Sequence, residues 1–143
     1  MAATATTYNN ATKHFALGDI NWSTATIQLA LLDNGYTFAG TDEFMSGINS
    51  HEIASGGYTR LTVGSKTNTL ASNVYTLSSS TASFTWSSLT ATNVTYVILF
   101  VNTGSDATSI LLQCVNLGQS YSPTVENFTY QTPTTGFLTI TAA

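Results

Sequence analysis

Short runs that alternate apolar with hydroxyl-bearing residues, broken roughly every 8–15 residues by small polar turns, restrict this chain to a strand-rich fold. Ile27, Leu29 and Leu31 alternate with Ala30 and Leu32, and both sets are apolar. That pattern reads as a strand buried on two faces. Asp33-Asn34-Gly35 ends it with residues that accept positive φ. Tyr36-Thr37-Phe38 reads as extended again, and Tyr58, Arg60 and Thr62 alternate with Leu61 and Val63. Val74 to Leu77 and Phe84 to Trp86 follow, the latter with aromatics on one face and Thr on the other. Val94 to Val101 is the most hydrophobic stretch and predicts a central strand. Ile110 to Val115 pairs with it as a hairpin across the turn at Thr103 to Asp106. Phe128 to Tyr130 and Phe137 to Thr141 complete the set. The expectation is a mainly β fold, an antiparallel β-sandwich or barrel of about eight strands.

One or two short helices near the N-terminus complete the prediction. Tyr8, Ala11, Thr12 and Phe15 recur at helical spacing, which predicts a helix over 8–17 closed by Gly18. Asp42 to Met45 reads as one helical turn, capped by Thr41 or Asp42. Residues 1–143 form one domain, with 1–7 as a loose or partner-ordered N-terminal arm and 136–143 as either the last strand or a C-terminal arm.

Charge separates this chain from most soluble domains. Only 7% of residues are charged, against about 25% in typical usage. Ser and Thr supply 43 of the 143 residues instead. Three cations, Lys13, Arg60 and Lys66, in a chain of net charge −4 are too few for a nucleic-acid footprint or an anionic membrane surface. The longest apolar run, Val97 to Val101, is far short of the roughly 18 residues of a membrane span. The first residues lack the basic and apolar regions of a secretory leader, so none is expected. A lone Cys114 inside an apolar strand forms no internal disulfide and reads as a buried, inert thiol.

Candidate chemistry is sparse. No nucleophile elbow, phosphate loop or zinc-protease motif occurs. His51 and Glu52 are neighbours whose side chains point apart in extended chain. Asp33-Asn34-Gly35 lacks the later bidentate Glu of a calcium loop and reads as a turn. Asp42 and Glu43 suit capping rather than paired acid–base work. Trp22, Trp86 and the tyrosines could line a sugar site, but they read first as core or interface residues. No enzyme activity, catalytic residue, cofactor or metal is expected. A surface rich in Ser, Thr and Asn and poor in Lys and Glu loses little side-chain entropy on contact. That composition fits a subunit of a large symmetric assembly, and a soluble lectin-like domain satisfies it too.

An ordered set of segments carries a resemblance. Tyr8-Asn9-Asn10, Phe15 to Ile20, Ile27 to Asp33, Tyr36-Thr37-Phe38, Asp42-Glu43-Phe44, His51-Glu52-Ile53 and Gly57-Tyr58-Thr59 follow one another. Over about residues 8–64 this succession resembles a family of small β-rich structural proteins of tailed bacteriophages. The rest is similar only as a β-rich tail ending in Gly136 to Thr141. The resemblance implies a virion protein without catalytic residues. The favoured expectation is a capsid decoration or cement protein, made in the bacterial host cytoplasm and sitting on the capsid surface. Its expected partners are the major capsid protein and itself, as a homotrimer, with neither nucleic acid nor membrane. Phe137, Leu138 and Ile140 are the expected assembly contacts, unless that segment is the last strand of its own domain. The alternatives are a tail, neck or baseplate component, or a carbohydrate- or receptor-binding module.

Overall fold

The computed structural model describes residues 2–141. It is mainly β, with 46% of residues in strands and 11% helical. In chain order the strands are β1 (Thr4–Thr7), β2 (Ile27–Asp33), β3 (Leu61–Thr62), β4 (Lys66–Ala71), β5 (Val74–Ser79), β6 (Ser83–Leu89), β7 (Val94–Val101), β8 (Ile110–Tyr121), β9 (Glu126–Gln131) and β10 (Leu138–Thr141). Helix α1 (Asn9–Leu17) lies between the first two. Five strands form the main sheet in the order β1-β8-β7-β2-β3. Two smaller sheets have the orders β10-β5-β4 and β6-β9. Every pairing is antiparallel.

The double-sided apolar pattern of β2 and β7 has a direct consequence: the main sheet is covered on both faces. Ile27, Leu29, Leu31, Val97, Leu99 and Val101 point into the larger core. There they meet Leu77 of β5, Trp86 and Leu89 of β6, Tyr130 of β9 and Leu138 of β10. Ala30, Leu32, Ile98 and Phe100 point the other way. Tyr8, Tyr36, Met45 and Ile48 close over them as a second, smaller core.

Strand β8 alternates between both cores and changes parity at a bulge. Leu99 opposes Gln113 while Phe100 opposes Leu111, leaving Leu112 as an extra residue. Leu112 therefore packs in the larger core, and the Gln113 amide donates to the Phe137 carbonyl. Beyond the bulge the parity is reversed, so Cys114 falls in the smaller core and Val115 in the larger one.

Several local expectations need correction. Eight strands are where the alternation predicts them, although β3 keeps only two residues of the predicted 58–63. Tyr36 to Phe38 joins no ladder and instead folds over the smaller core. The helical turn expected at Asp42 to Met45 begins later, as 3₁₀ turns at Met45–Gly47 and Asn49–His51 with no side-chain cap. Asp42 and Glu43 are engaged elsewhere, by Tyr36 and by Lys13 with His14. Helix α1 ends at Gly18 in the left-handed conformation (φ 80°), as its sequence predicts. Residues 4–7, expected to be loose, form the edge strand β1 on β8. Of the segment 136–143, residues 138–141 form β10 on β5, and 142–143 lie outside the described residues.

Gly136 makes that last docking sterically feasible. Its φ is +84°, and a Cβ there would collide with the Thr76 methyl and stand 3.1 Å from the Leu77 carbonyl oxygen. The next residue, Phe137, donates its amide to that same carbonyl at 2.9 Å.

Candidate assembly surface

The expected contact residues separate once the chain folds. Phe137 and Leu138 belong to the chain's own larger core, whereas Ile140 is 42% exposed. The strand register explains the split. Leu138 opposes Leu77, and Leu77 opposes Asn68, so those three share one row of the small sheet. Two residues along, Ile140 opposes Tyr75, and Tyr75 opposes Leu70. Side chains two apart in a strand point the same way. Leu70, Tyr75 and Ile140 thus continue the inner face of the sheet beyond the end of the core. Leu70 is 72% exposed, and Tyr75 is half-buried against the core edge.

This overhang is firmly held. Trp22 donates its indole N–H to the carbonyls of Thr67 (3.1 Å) and Ser78 (3.2 Å), and the Lys66 ammonium donates to the Ala25 carbonyl. The β4–β5 turn places Ser72 and Asn73 at φ 50° and 64°, the primed geometry of a tight hairpin. The opposite face of the same sheet carries Thr69, Thr76 and Thr139 in one row.

A second exposed apolar group occupies the β8–β9 turn. Val125 is 70% exposed and sits at φ 55°, where β-branched side chains are strained. Tyr121 and Phe128, from the two strands that this turn joins, pack edge to face with ring centroids 5.7 Å apart. Val125→Gly should therefore raise stability by about 1 kcal/mol, since the left-handed region costs a side chain about 1–2 kcal/mol. Urea unfolding measures this directly, and a loss of stability would show that the valine contributes packing the geometry does not reveal.

The polar groups are mostly consumed internally. Six of the seven carboxylates have structural partners. Glu52 and Asp106 each grip Arg60 with two oxygens, at 2.6–2.9 Å. Tyr58 adds its hydroxyl to Glu52, Asn49 donates to Asp106, and the guanidinium stacks 5.1 Å from the Phe100 ring centroid. Arg60 holds the Asp106 carboxyl below the usual carboxylate range. Glu43 is lowered in the same sense by Lys13 and His14. Asp19 is bound to His14, Asp33 caps the Gly35 amide, and Asp42 accepts from Tyr36. Because Tyr36 spends its proton on Asp42, Tyr8 must donate to Tyr36 (2.9 Å) in the buried chain behind the smaller core. Burial raises both phenols and pushes the Cys114 thiol up to about 12, which leaves it protonated and unreactive. Among the described residues no three His, Cys, Asp or Glu side chains group as metal ligands.

Both tryptophans lie in the core, the first of the readings their sequence allows. Trp22 and Trp86 are 4% and 1% exposed, so neither can serve as a stacking platform for a sugar. Leu70 escaped the sequence reading because β4 has no buried face and hence no apolar period. Its only local signal is the Ser72-Asn73 pair ahead of the Val74 strand. No helix among the described residues is long and apolar enough to cross a membrane. In comparisons with family models, curated proteins and solved structures, nothing matches this chain.

Proposed function

We propose that this chain is a structural protein of a tailed-bacteriophage virion, acting as a decoration protein that cements the outer face of the major capsid lattice. The observation that carries an assembly role is the uncovered row of Leu70, Tyr75 and Ile140 on a sheet whose single charge, Lys66, is turned to the Ala25 carbonyl. The phage context comes from the ordered resemblance over residues 8–64. In this reading Phe137 and Leu138 do not touch the partner. They anchor the last strand so that Ile140 is presented. Burying a Leu or Ile side chain fully is worth about 1.5–3 kcal/mol, so two partly exposed ones give a modest contact. A homotrimer repeats that contact around the capsid junction, and effective concentration then multiplies the modest sites into firm attachment.

Gold-labelled antibody on purified particles tests the location. Label spread over the head is expected, and label confined to the tail would replace the cement reading with a tail or baseplate role. The double variant Leu70→Ser/Ile140→Ser tests the surface. It should keep its thermal midpoint within about 3 °C, because exposed positions contribute little to folding. It should lose at least about tenfold in affinity for capsids in a sedimentation assay, corresponding to about 1.4 kcal/mol. Unchanged capsid binding would remove this row from the interface.

A further inference from the structure

A groove of about 340 Å³ lies at the margin of the smaller core, where β1, β8 and β7 lie side by side. Thr4 opposes Asn116 and Asn116 opposes Tyr96, forming one floor row. Thr6 opposes Cys114 in the next row, and Phe38 forms the wall. No charged side chain lines it. Both aromatic walls are fixed from behind. Phe38 packs on the buried Tyr8 (centroids 5.1 Å apart), and Tyr96 meets Tyr36 edge-on at 5.3 Å and 84°. The Tyr8 and Tyr36 hydroxyls are in turn locked to each other and to Asp42.

Thr4, Thr6 and Asn116 are exposed and Tyr96 is half-buried, so the polar groups at the groove are open to a ligand. The Asn116 side-chain oxygen accepts from the Gly118 amide at 2.8 Å, which fixes the carboxamide and leaves its NH₂ as a donor. The hydroxyls of Thr4, Thr6 and Tyr96 make no hydrogen bond among the described residues. Two preset rings, one amide donor and three hydroxyls, without a charge, define the chemistry of the occupant. It has an apolar C–H face to lie on an aromatic ring, several hydroxyls to exchange hydrogen bonds, and no net charge. We infer that this groove binds a neutral saccharide of one or two hexose units, with Phe38 and Tyr96 packing against the ring and Asn116 and Thr6 holding its hydroxyls. The volume falls at the lower end of the roughly 300–1,000 Å³ of small-molecule sites. The site is distinct from the Leu70–Ile140 row and does not depend on the capsid reading.

The test is a titration of isotope-labelled protein followed by amide chemical shifts. The probes are methyl glucoside, methyl galactoside, N-acetylglucosamine and maltose, with glucuronate as an anionic control. Saturable shifts confined to Thr4, Thr6, Phe38, Tyr96 and Asn116 are expected for at least one neutral probe, and weaker ones for glucuronate. Asn116→Ala, at an exposed position, should weaken binding about three- to tenfold while leaving the remaining spectrum unchanged. Phe38→Ala should abolish it, with the Asn116 variant as the guard against a folding defect. Absence of saturable shifts for every neutral probe, shifts centred elsewhere, or undiminished binding by Asn116→Ala would each overturn the assignment.

Discussion

Trp86→Ala is expected to lower stability by about 3–5 kcal/mol, the usual cost of truncating a large buried aromatic. For a domain of this size that corresponds to a fall in Tm of roughly 6–20 °C. The magnitude follows from three roles in one side chain. Trp86 is 1% exposed in the larger core, its indole N–H donates to the Thr59 carbonyl at 2.7 Å, and its ring packs on Phe128 across the β6–β9 pair. Loss of the ring opens a cavity beneath the main sheet and leaves the Thr59 carbonyl without its donor. Trp86→Phe separates the two effects. It keeps most of the volume and loses the hydrogen bond, so it should cost about 1–2 kcal/mol. Urea unfolding of both variants measures the difference. A Trp86→Ala cost below about 1.5 kcal/mol would contradict the packing described for this core.

Arg60→Ala should destabilise by about 2–4 kcal/mol at neutral pH. Removing one partner of a buried ion pair costs about 3–5 kcal/mol, and the guanidinium here is one-quarter exposed, which reduces that figure. The variant leaves Glu52 and Asp106, 13% and 26% exposed, facing each other without a cation. It also cuts the tie between the chain before β3 and the β7–β8 loop. Lys is no substitute, because one ammonium cannot offer two forks; Arg60→Lys should recover less than half of the loss. The pH dependence has a definite sign. Asp106 titrates lower in the folded than in the unfolded chain, so its contribution is complete above the unfolded value and fades as pH falls through the folded one. The gap between wild type and Arg60→Ala should therefore narrow below about pH 4. A gap that stays constant or widens between about pH 5 and 2 would mean that the pair adds no pH-linked stability.

The legibility of the fold tracked burial. Strands β2 and β7 bury both faces, so their uninterrupted apolar runs were plain. The two strands that sequence reasoning missed, β1 and β4, are sheet edges with almost every residue exposed. An edge strand with no buried face is selected for no apolar period, so nothing in its sequence marks it. The segment 58–63 failed in the opposite direction. It alternates correctly, but Gly57 turns the chain at φ 78° within 2.5 Å of the Ser88 carbonyl oxygen at its Cβ position. Beyond Leu29 the edge of β2 is occupied by Glu52 and Ile53, and the Leu31 amide by the Tyr58 hydroxyl, so 58–60 finds no ladder there. Glu52 itself was visible only as the neighbour of His51, because its side-chain partners are six and eight residues away along the chain.

The antiparallel β class, the helix ending at Gly18, the β7–β8 hairpin and the scarcity of charge are legible along the chain, because each rests on local periodicity, turn chemistry or composition. Which apolar residues of the last segment face inward and which stand exposed depends on contacts made only in the folded chain. Phe137, Leu138 and Ile140 read alike in sequence, and only the register against Leu77 and Tyr75 puts two of them in the core and one at the rim. The same holds for the groove at Phe38 and Tyr96, whose walls come from segments brought together by the stacking of β7 against β8 and the folding of a loop over them. Periodicity is a property of neighbours along the chain. A surface is a property of residues that meet across it, and their meeting is fixed by strand register and packing.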